Sequence, residues 1–448
     1  PDNLLSVSVG TLADPNTAHV PFASIAGSQI IVDAGSRNDL IIVDFSLGNF
    51  GKSIDCQGDG GSDTLDLIGG SNFTSVTHAY SSLNDGTADV SGNMTVNYSG
   101  ITTLNDTVQT DTRTFIFSAA NDNLGVQEGP SPSLHRIATF DSSVPTYFTI
   151  PSALLEILTG DGNDHVTFEY LSNGATPDLT IDGQAGSDTV LIPINPISVG
   201  TFSVTAEAIR PGLNITSTGS QTYNGDVTFP SDRTLTAGGA IFFQGRVDSN
   251  TIKRSLTLNC PSMTVFSGEV GGINPLKFIV TDAPGSTVFS GDVTTTGDQT
   301  FNDPVTLNAA TTFTGLNVTF NNTVDGAAPG AQGLTVNSSM TTFASPVGSS
   351  TSLLNLITDA AGTTIISGAS VTTSGGEMIF NDSVIIGANT TLTGDGVAFN
   401  STVDGSTPGS ESLTVVTSGG GLATFGDGAG DDQIGATTAL GSLATASP

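Results

Sequence analysis

Apolar and polar residues alternate along this chain in short runs. Segments such as QIIVDAG, DLIIVDF, DTLDLIG, NMTVNYSG, HVTFEYL and DLTIDG are rich in Val, Ile, Thr and aromatic residues, and Gly, Asn and Asp punctuate them. A period of two between turn formers predicts β-strands half-buried on one face. Helical patterns of ten or more residues are hard to find. SALLEILT (152–159) comes nearest, but it runs straight into the turn GDGND and reads as a strand. The chain is expected to be all-β.

Internal repeats set the expected architecture. TYNGDVTF (222–229), TFNDPVTL (300–307) and IFNDSVII (379–386) align at steps of 78 and 79 residues. FQGRVDS, FNNTVDG and FNSTVDG follow in step, then SLTL, GLTV and SLTV, and TDAPGSTVFSG matches TDAAGTTIISG. Each repeat holds phrases about 20 residues long, too short for a propeller blade of roughly 40–45. They suit coils of 20–24 residues in a parallel β-helix, whose rungs lie about 4.8 Å apart and stack like on like. Phe301, Phe320, Phe343 and Ile366 are then expected inward on four successive rungs, with Asn and Thr hydrogen-bonded along ladders outside. Tandem β-sandwich domains, at the repeat lengths of 78–79 and 125 residues, are the alternative. The closing stretch, 434–448, aligns with the phrases that begin at Val270 and Val347, so a fourth copy is expected to start there and to continue or pair end to end.

A different repeat marks residues 1–205, and the 78–79-residue series occupies 206–448. In the first region GSRND (35–39) and GDGGSD (58–63) set Asp39 and Asp63 24 residues apart, and TGDGND and GQAGSD do the same for Asp164 and Asp188. The two pairs lie 125 residues apart, in a duplication covering roughly 24–70 and 149–195; EGPSPS (128–133) and DSSVP (141–145) between the copies read as loops. One 24-residue rung would place the paired carboxylates about 5 Å apart, repelling by roughly 3 kcal/mol at an effective dielectric near 20. A Ca²⁺ between the rungs would relieve this, taking carboxylate oxygens and glycine-turn carbonyls. The expected ligands are Asp39, Asp63, Asp161, Asp164 and Asp188, with Asp427 and Asp431 of GDGAGDDQI. The competing reading makes these residues solvated turn formers. Asp248, Asp325, Asp404, Asp303 and Asp382, at equivalent repeat positions, are read as turn formers.

Composition narrows the function classes. The chain has 448 residues, a formal net charge of −32, and only 10 Lys+Arg against 42 Asp+Glu. Without a basic patch, nucleic acid and anionic surfaces are disfavoured as partners, and divalent cations are favoured. No stretch is long or apolar enough for a bilayer span. Cys56 and Cys260 have no metal spacing and read as small buried hydrophobes. The four histidines share no ligand spacing, and no GxSxG, HExxH, P-loop or CxxC occurs. No catalytic residues are assigned, and a non-enzymatic role is expected. The start at Pro rather than Met suggests a piece of something longer.

The repeats with TLTG, FNNTVDG, GLTVN and TDAAGTT phrases resemble those of very large bacterial surface proteins, the haemagglutinin-like and filamentous-haemagglutinin-type adhesins. The Gly/Asp turns, GDGGSDTLD above all, partly resemble the calcium turns of RTX-type proteins, although the nine-residue period of those arrays is absent. The resemblance implies a secreted, cell-surface β-helical shaft used in adhesion or in fibres. Its implied partners are neighbouring repeats, further copies, glycans or a cell surface. A carbohydrate-binding or carbohydrate-active β-helix is the alternative.

Overall fold

In the computed structural model the chain is all-β, with no helix among the described residues. These are 4–11, 14–21, 27–46, 48–131, 133–139, 144–169, 171, 176–192, 197–426 and 433–446. Two compact units divide the chain, Pro1–Thr218 and Gly219–Pro448. Leu4–Thr11 and Asp14–Pro21 form an antiparallel hairpin in the first.

In the second unit each strand pairs in parallel with a strand one coil further on, as a β-solenoid requires and tandem sandwiches do not. One stack runs through Ile241–Phe243, Met263–Phe266, Ser286–Phe289, Val305–Leu307 and Val324–Gly326. Another runs from Leu256–Asn259 through Ile279–Thr281 and Gln299–Phe301 to Thr363–Ile366, Ser383–Ile386 and Val403–Gly405. A further stack includes Leu356–Thr358, Glu377–Phe380, Gly396–Phe399 and Ala423–Phe425. The chain visits the three in turn, one strand in each per coil. Phe301, Phe320, Phe343 and Ile366 are register partners on successive rungs, as the repeats predicted.

Each stack carries an aromatic ladder in its interior. Tyr223, Phe243, Phe266 and Phe289 follow one another at centroid spacings of 5.0, 5.0 and 5.1 Å. Phe301, Phe320 and Phe343 do so at 5.3 and 5.5 Å, and Phe380, Phe399 and Phe425 at 5.2 and 5.1 Å. These spacings are close to the rung height, so rings in identical register rest face to face. Outside, the Asn321 amide donates to Asn302 at 2.7 Å and Asn400 to Asn381 at 2.8 Å. Four phrases of about 20 residues would make the 78–79-residue repeat four whole coils, and the structure corrects this: Tyr223, Phe301 and Phe380, alike in the repeat, stand in three different stacks, so the repeat is not a whole number of coils.

The first unit shares the coil but interrupts it. The 125-residue duplication is realised strand for strand: Gln29–Asp33 matches Leu154–Leu158, and Ser53–Gln57 matches Asp178–Asp182. SALLEILT is thus a strand. Between the copies the chain makes two antiparallel meanders, Phe73–Tyr80 with Gly86–Val90 and Val96–Ser99, then Asn123–Glu128 with His135–Thr139 and Thr146–Phe148. They lengthen the coil: Asp66 meets Asn105 39 residues on, and Thr114 meets Glu156 after 42. The described residues of the expected loop at 128–133 form the turn of the second meander, closed by the Gly129 amide on the Leu134 carbonyl at 2.9 Å; Pro132 lies outside the described residues. Residues 141–143 of the other expected loop lie outside the described residues.

Candidate functional site

The Gly/Asp turns of the first unit do stack as their spacing predicts. Asp161–Gly162 pairs in parallel with Ala185–Gly186. Glycine is required by this close approach: Gly186, at φ 151°, would drive a Cβ into the Gly162 carbonyl oxygen, and Gly61, at φ 131°, would do the same against Arg37. Asp59 and Gln184, 125 residues apart, both take left-handed φ values near 60°, so the two copies share even this detail.

The aspartates face inward at the coil corner rather than outward. Asp39, Asp63, Asp164 and Asp188 are all buried. What lies between successive carboxylates is a main-chain amide: Asp39 N–H donates to Asp63 Oδ1 at 2.9 Å, and Asp164 N–H to Asp188 Oδ1 at 2.8 Å. The second ladder extends both ways, with the Asp122 amide on Asp164 at 2.7 Å and the Asp188 amide on Glu207 at 2.6 Å. Asn38 and Asn163 side chains likewise accept the Ser62 and Ser187 amides, each at 2.9 Å. Each of the four buried carboxylates leaves Oδ2 without a hydrogen-bond partner. Burial pushes the Asp63, Asp164 and Asp188 carboxyls above the usual range; the donated amides oppose this, while the Asp39 charge adds to it at Asp63 and the Asp164 charge at Asp188. Asp161 is exposed on its turn, away from this buried set. Asp427 and Asp431 lie outside the described residues. Among the described residues no group of three or more His, Cys, Asp or Glu side chains is placed to hold a metal.

Beside the first turn pair a cavity of about 290 Å³ opens on the outer face. Its walls are Asn38, Asp39, Leu40, Ser62, Thr64, Asp66 and Asn105. Asp66 and Asn105 were not singled out by the sequence; their positions follow only once the 39-residue coil step is known.

A buried charged cluster was also missed. Asp106 Oδ2 accepts from His78 Nε2 at 2.8 Å and is paired with Arg113, all three fully buried. The Arg113 guanidinium also donates to the Val108 carbonyl at 2.7 Å. Burial, then the Arg113 charge, holds His78 down to about 3, although Asp106 touches it. Burial brings Arg113 down to about 9 and His135 down to about 4. The His78 ring stacks on Phe115 with centroids 5.3 Å apart. These fully buried groups tie core strands together.

In the second unit Asp303 and Asp382 sit at bends between strands, where the turn-former reading put them, but their side chains turn inward. Both are buried clamps that accept two threonine hydroxyls each: Thr281 at 2.5 Å and Thr287 at 2.7 Å on Asp303, Thr358 at 2.6 Å and Thr364 at 2.8 Å on Asp382. The turn-former reading fails for Asp248, Asp325 and Asp404, which lie within strands; each accepts two consecutive amides from the next coil, such as Ser350 and Thr351 on Asp325 at 2.9 and 3.1 Å. Ile434 bridges to Val403 as Val270 does to Val247 and Val347 to Val324, so the last phrase sits where the repeat alignment put it. Cys56 and Cys260 are buried and unpaired with each other, and burial pushes the Cys56 thiol up to about 12.

The chain matches no protein-family model, no curated protein and no solved structure.

Proposed function

We propose that this chain is a non-enzymatic structural or adhesive repeat protein of the extracellular surface, part of a larger or fibre-forming assembly and stabilised by calcium at its Gly/Asp turns. The observation that carries this reading is where the polar groups go. Asp303, Asp382, Asp325 and the Asp39–Asp63 and Asp164–Asp188 ladders are spent on joining one coil to the next. Side chains used this way make a stiff stack of rungs, which is what a spacer or adhesive shaft needs. The net charge of −32 suits a surface that stays soluble and recruits cations. Resemblance to haemagglutinin-like surface proteins adds the extracellular setting.

The test is to incubate the purified chain with a panel of neutral polysaccharides while following reducing ends, and in parallel to measure self-association by light scattering and binding to bacterial surfaces. Self-association or surface binding without turnover is expected. Robust polysaccharide cleavage would overturn the reading. Glycan binding is a second reading. It rests on a cavity of about 360 Å³ whose walls combine Tyr80 and Phe117 with Ser82, Ser118, Asn121 and Asp122.

A further inference from the structure

Exposed apolar side chains of the second unit gather along one corner of its solenoid. Ile252 and Ile273 lie in the segments that lead into Leu256–Asn259 and Ile279–Thr281. Leu316 and Met340 lie where Thr311–Phe320 and Leu334–Phe343 turn the same corner. The four are 60, 59, 52 and 39% exposed, and they occupy the first, second, fourth and fifth of five successive coils. On the third coil the corner residue is Gly297, and the surface dips into a cavity of about 360 Å³ walled by Lys277, Phe278, Val280, Asp298, Thr300 and Leu316. At about 4.8 Å per coil the stripe runs roughly 19 Å along the solenoid. The coil does not need these residues for packing: the next repeat has Ser350 in place of Ile273, Leu354 in place of Lys277 and Asp395 in place of Leu316. Contiguous exposed apolar residues mark an interaction surface.

Charge is divided along the stripe. Lys253, Arg254 and Lys277 flank its first two coils, and the Lys277 amide donates to the Arg254 carbonyl at 2.7 Å, so these two cations stand one coil apart. None of the three is in an ion pair among the described residues. Nearby, Asp232 and Asp248 accept main-chain amides from the next coil, and Glu269 lies beside Gly272. Past the dip there is no cation at all, because Lys277 is the last Lys or Arg of the chain. The dip itself carries the exposed Asp298, whose Oδ1 accepts the Asn317 amide at 2.8 Å.

We propose that a second copy of this chain docks on the stripe, antiparallel to the first, about a two-fold axis beside Gly297. The stripe is self-complementary under such an axis: one apolar residue on each of the two coils before Gly297, and one on each of the two after. Rotation lays Ile273 and Lys277 of one copy over Leu316 of the other, and Ile252 over Met340. It also brings each Lys277 toward the other copy's Asp298, so the half with three cations meets the half with none. The inference rests on the self-association part of the function proposed above and names the surface that performs it.

The test is sedimentation equilibrium of the full chain. A dimer is expected, with Kd on the order of 10⁻⁵ M, since the stripe is narrower than a standard interface. Ile273→Ser and Leu316→Asp install residues that the next repeat already carries, so the coil is kept; each should raise Kd about tenfold or more. Lys277→Glu and Asp298→Lys should each do the same, and the double variant should return Kd to within about threefold of the parent. Unchanged circular dichroism confirms the fold of each variant. The proposal is overturned by a monomer at millimolar concentration, by a dimer that Ile273→Ser and Leu316→Asp leave intact, or by a charge exchange that restores nothing. Larger species that persist in every variant would uphold fibre formation through another surface and overturn the stripe. Polysaccharide cleavage by a chain that dimerises as expected would overturn the structural reading and leave the stripe standing.

Discussion

In the first unit the core contains Asp106, His78 and Arg113, joined by ion pairs and fully buried, whereas the second unit fills its interior with aromatic ladders spaced 5.0–5.5 Å apart. The contrast tracks coil regularity. Where every coil has nearly the same length, like residues fall above like, and stacked rings share the register with buried aspartate clamps. Where meanders stretch the step to 39 or 42 residues, identical residues no longer coincide, and directional polar pairs hold the strands in place.

The sharpest way to break the comparison is Arg113→Met. It leaves the buried Asp106 charge with a neutral histidine and the Val108 amide but no cation beside it, and should destabilise the first unit by about 3–5 kcal/mol in chemical denaturation. The second unit's transition should not move. Adding Asp106→Leu should recover most of the loss, since replacing a whole buried pair by apolar groups is often neutral.

Acid should separate the units next. His78 and His135 are held down to about 3 and about 4 in the folded state. A depressed pKa gives stability that is present above the unfolded value, near 6.5, and lost as pH falls toward the folded one. The buried Asp303 and Asp382 have raised pKa values, chiefly from burial, so their contribution has the opposite sign: it grows as pH falls from neutral through the folded values. All four histidines precede residue 219. Lowering pH from 7 to about 4.5 should therefore cost the first unit on the order of 2 kcal/mol per buried histidine, offset in part by Asp63, Asp164 and Asp188, and should stabilise the second. Thermal scans across that range that resolve both transitions would check the divergence; parallel shifts of the two would refute it.

A smaller effect is expected of Thr287→Val, which removes the hydroxyl donor on Asp303 Oδ2. The cost should be about 1–3 kcal/mol at pH 7 and should shrink as the carboxyl is protonated. Smallest is Phe266→Leu, in the middle of a ladder, at about 1.5 kcal/mol or less because volume is nearly kept. If it costs more than Thr287→Val, ring stacking outweighs the polar clamps in setting the register.

Much of this was legible in the chain because the solenoid writes its register into spacing. The 24-residue step put Asp39 on Asp63 and Asp164 on Asp188, and the phenylalanine phrases identified the inward rungs. Repeat spacing also placed Ile434 beside Val403. The direction of a turn aspartate was not legible: the same Gly-x-Asp string serves a side chain aimed at solvent or one turned inward to accept an amide, and the choice is made by the neighbouring coil. Asp106, His78 and Arg113 were invisible because their contacts span meanders that occur in no repeat. Asp66 and Asn105 were hidden for the same reason, since their 39-residue step matches neither period.

The placement of Tyr223, Phe301 and Phe380 in three different stacks bears on how such a chain can change during evolution. Recombination that deletes or inserts one 78–79-residue unit preserves every neighbour-to-neighbour contact, because each junction joins sequences that already stack. It shifts the phase of everything downstream by one face. Copy number then sets the compass bearing at which the outward side chains of a phrase such as FNNTVDG are displayed, without altering the phrase or its packing.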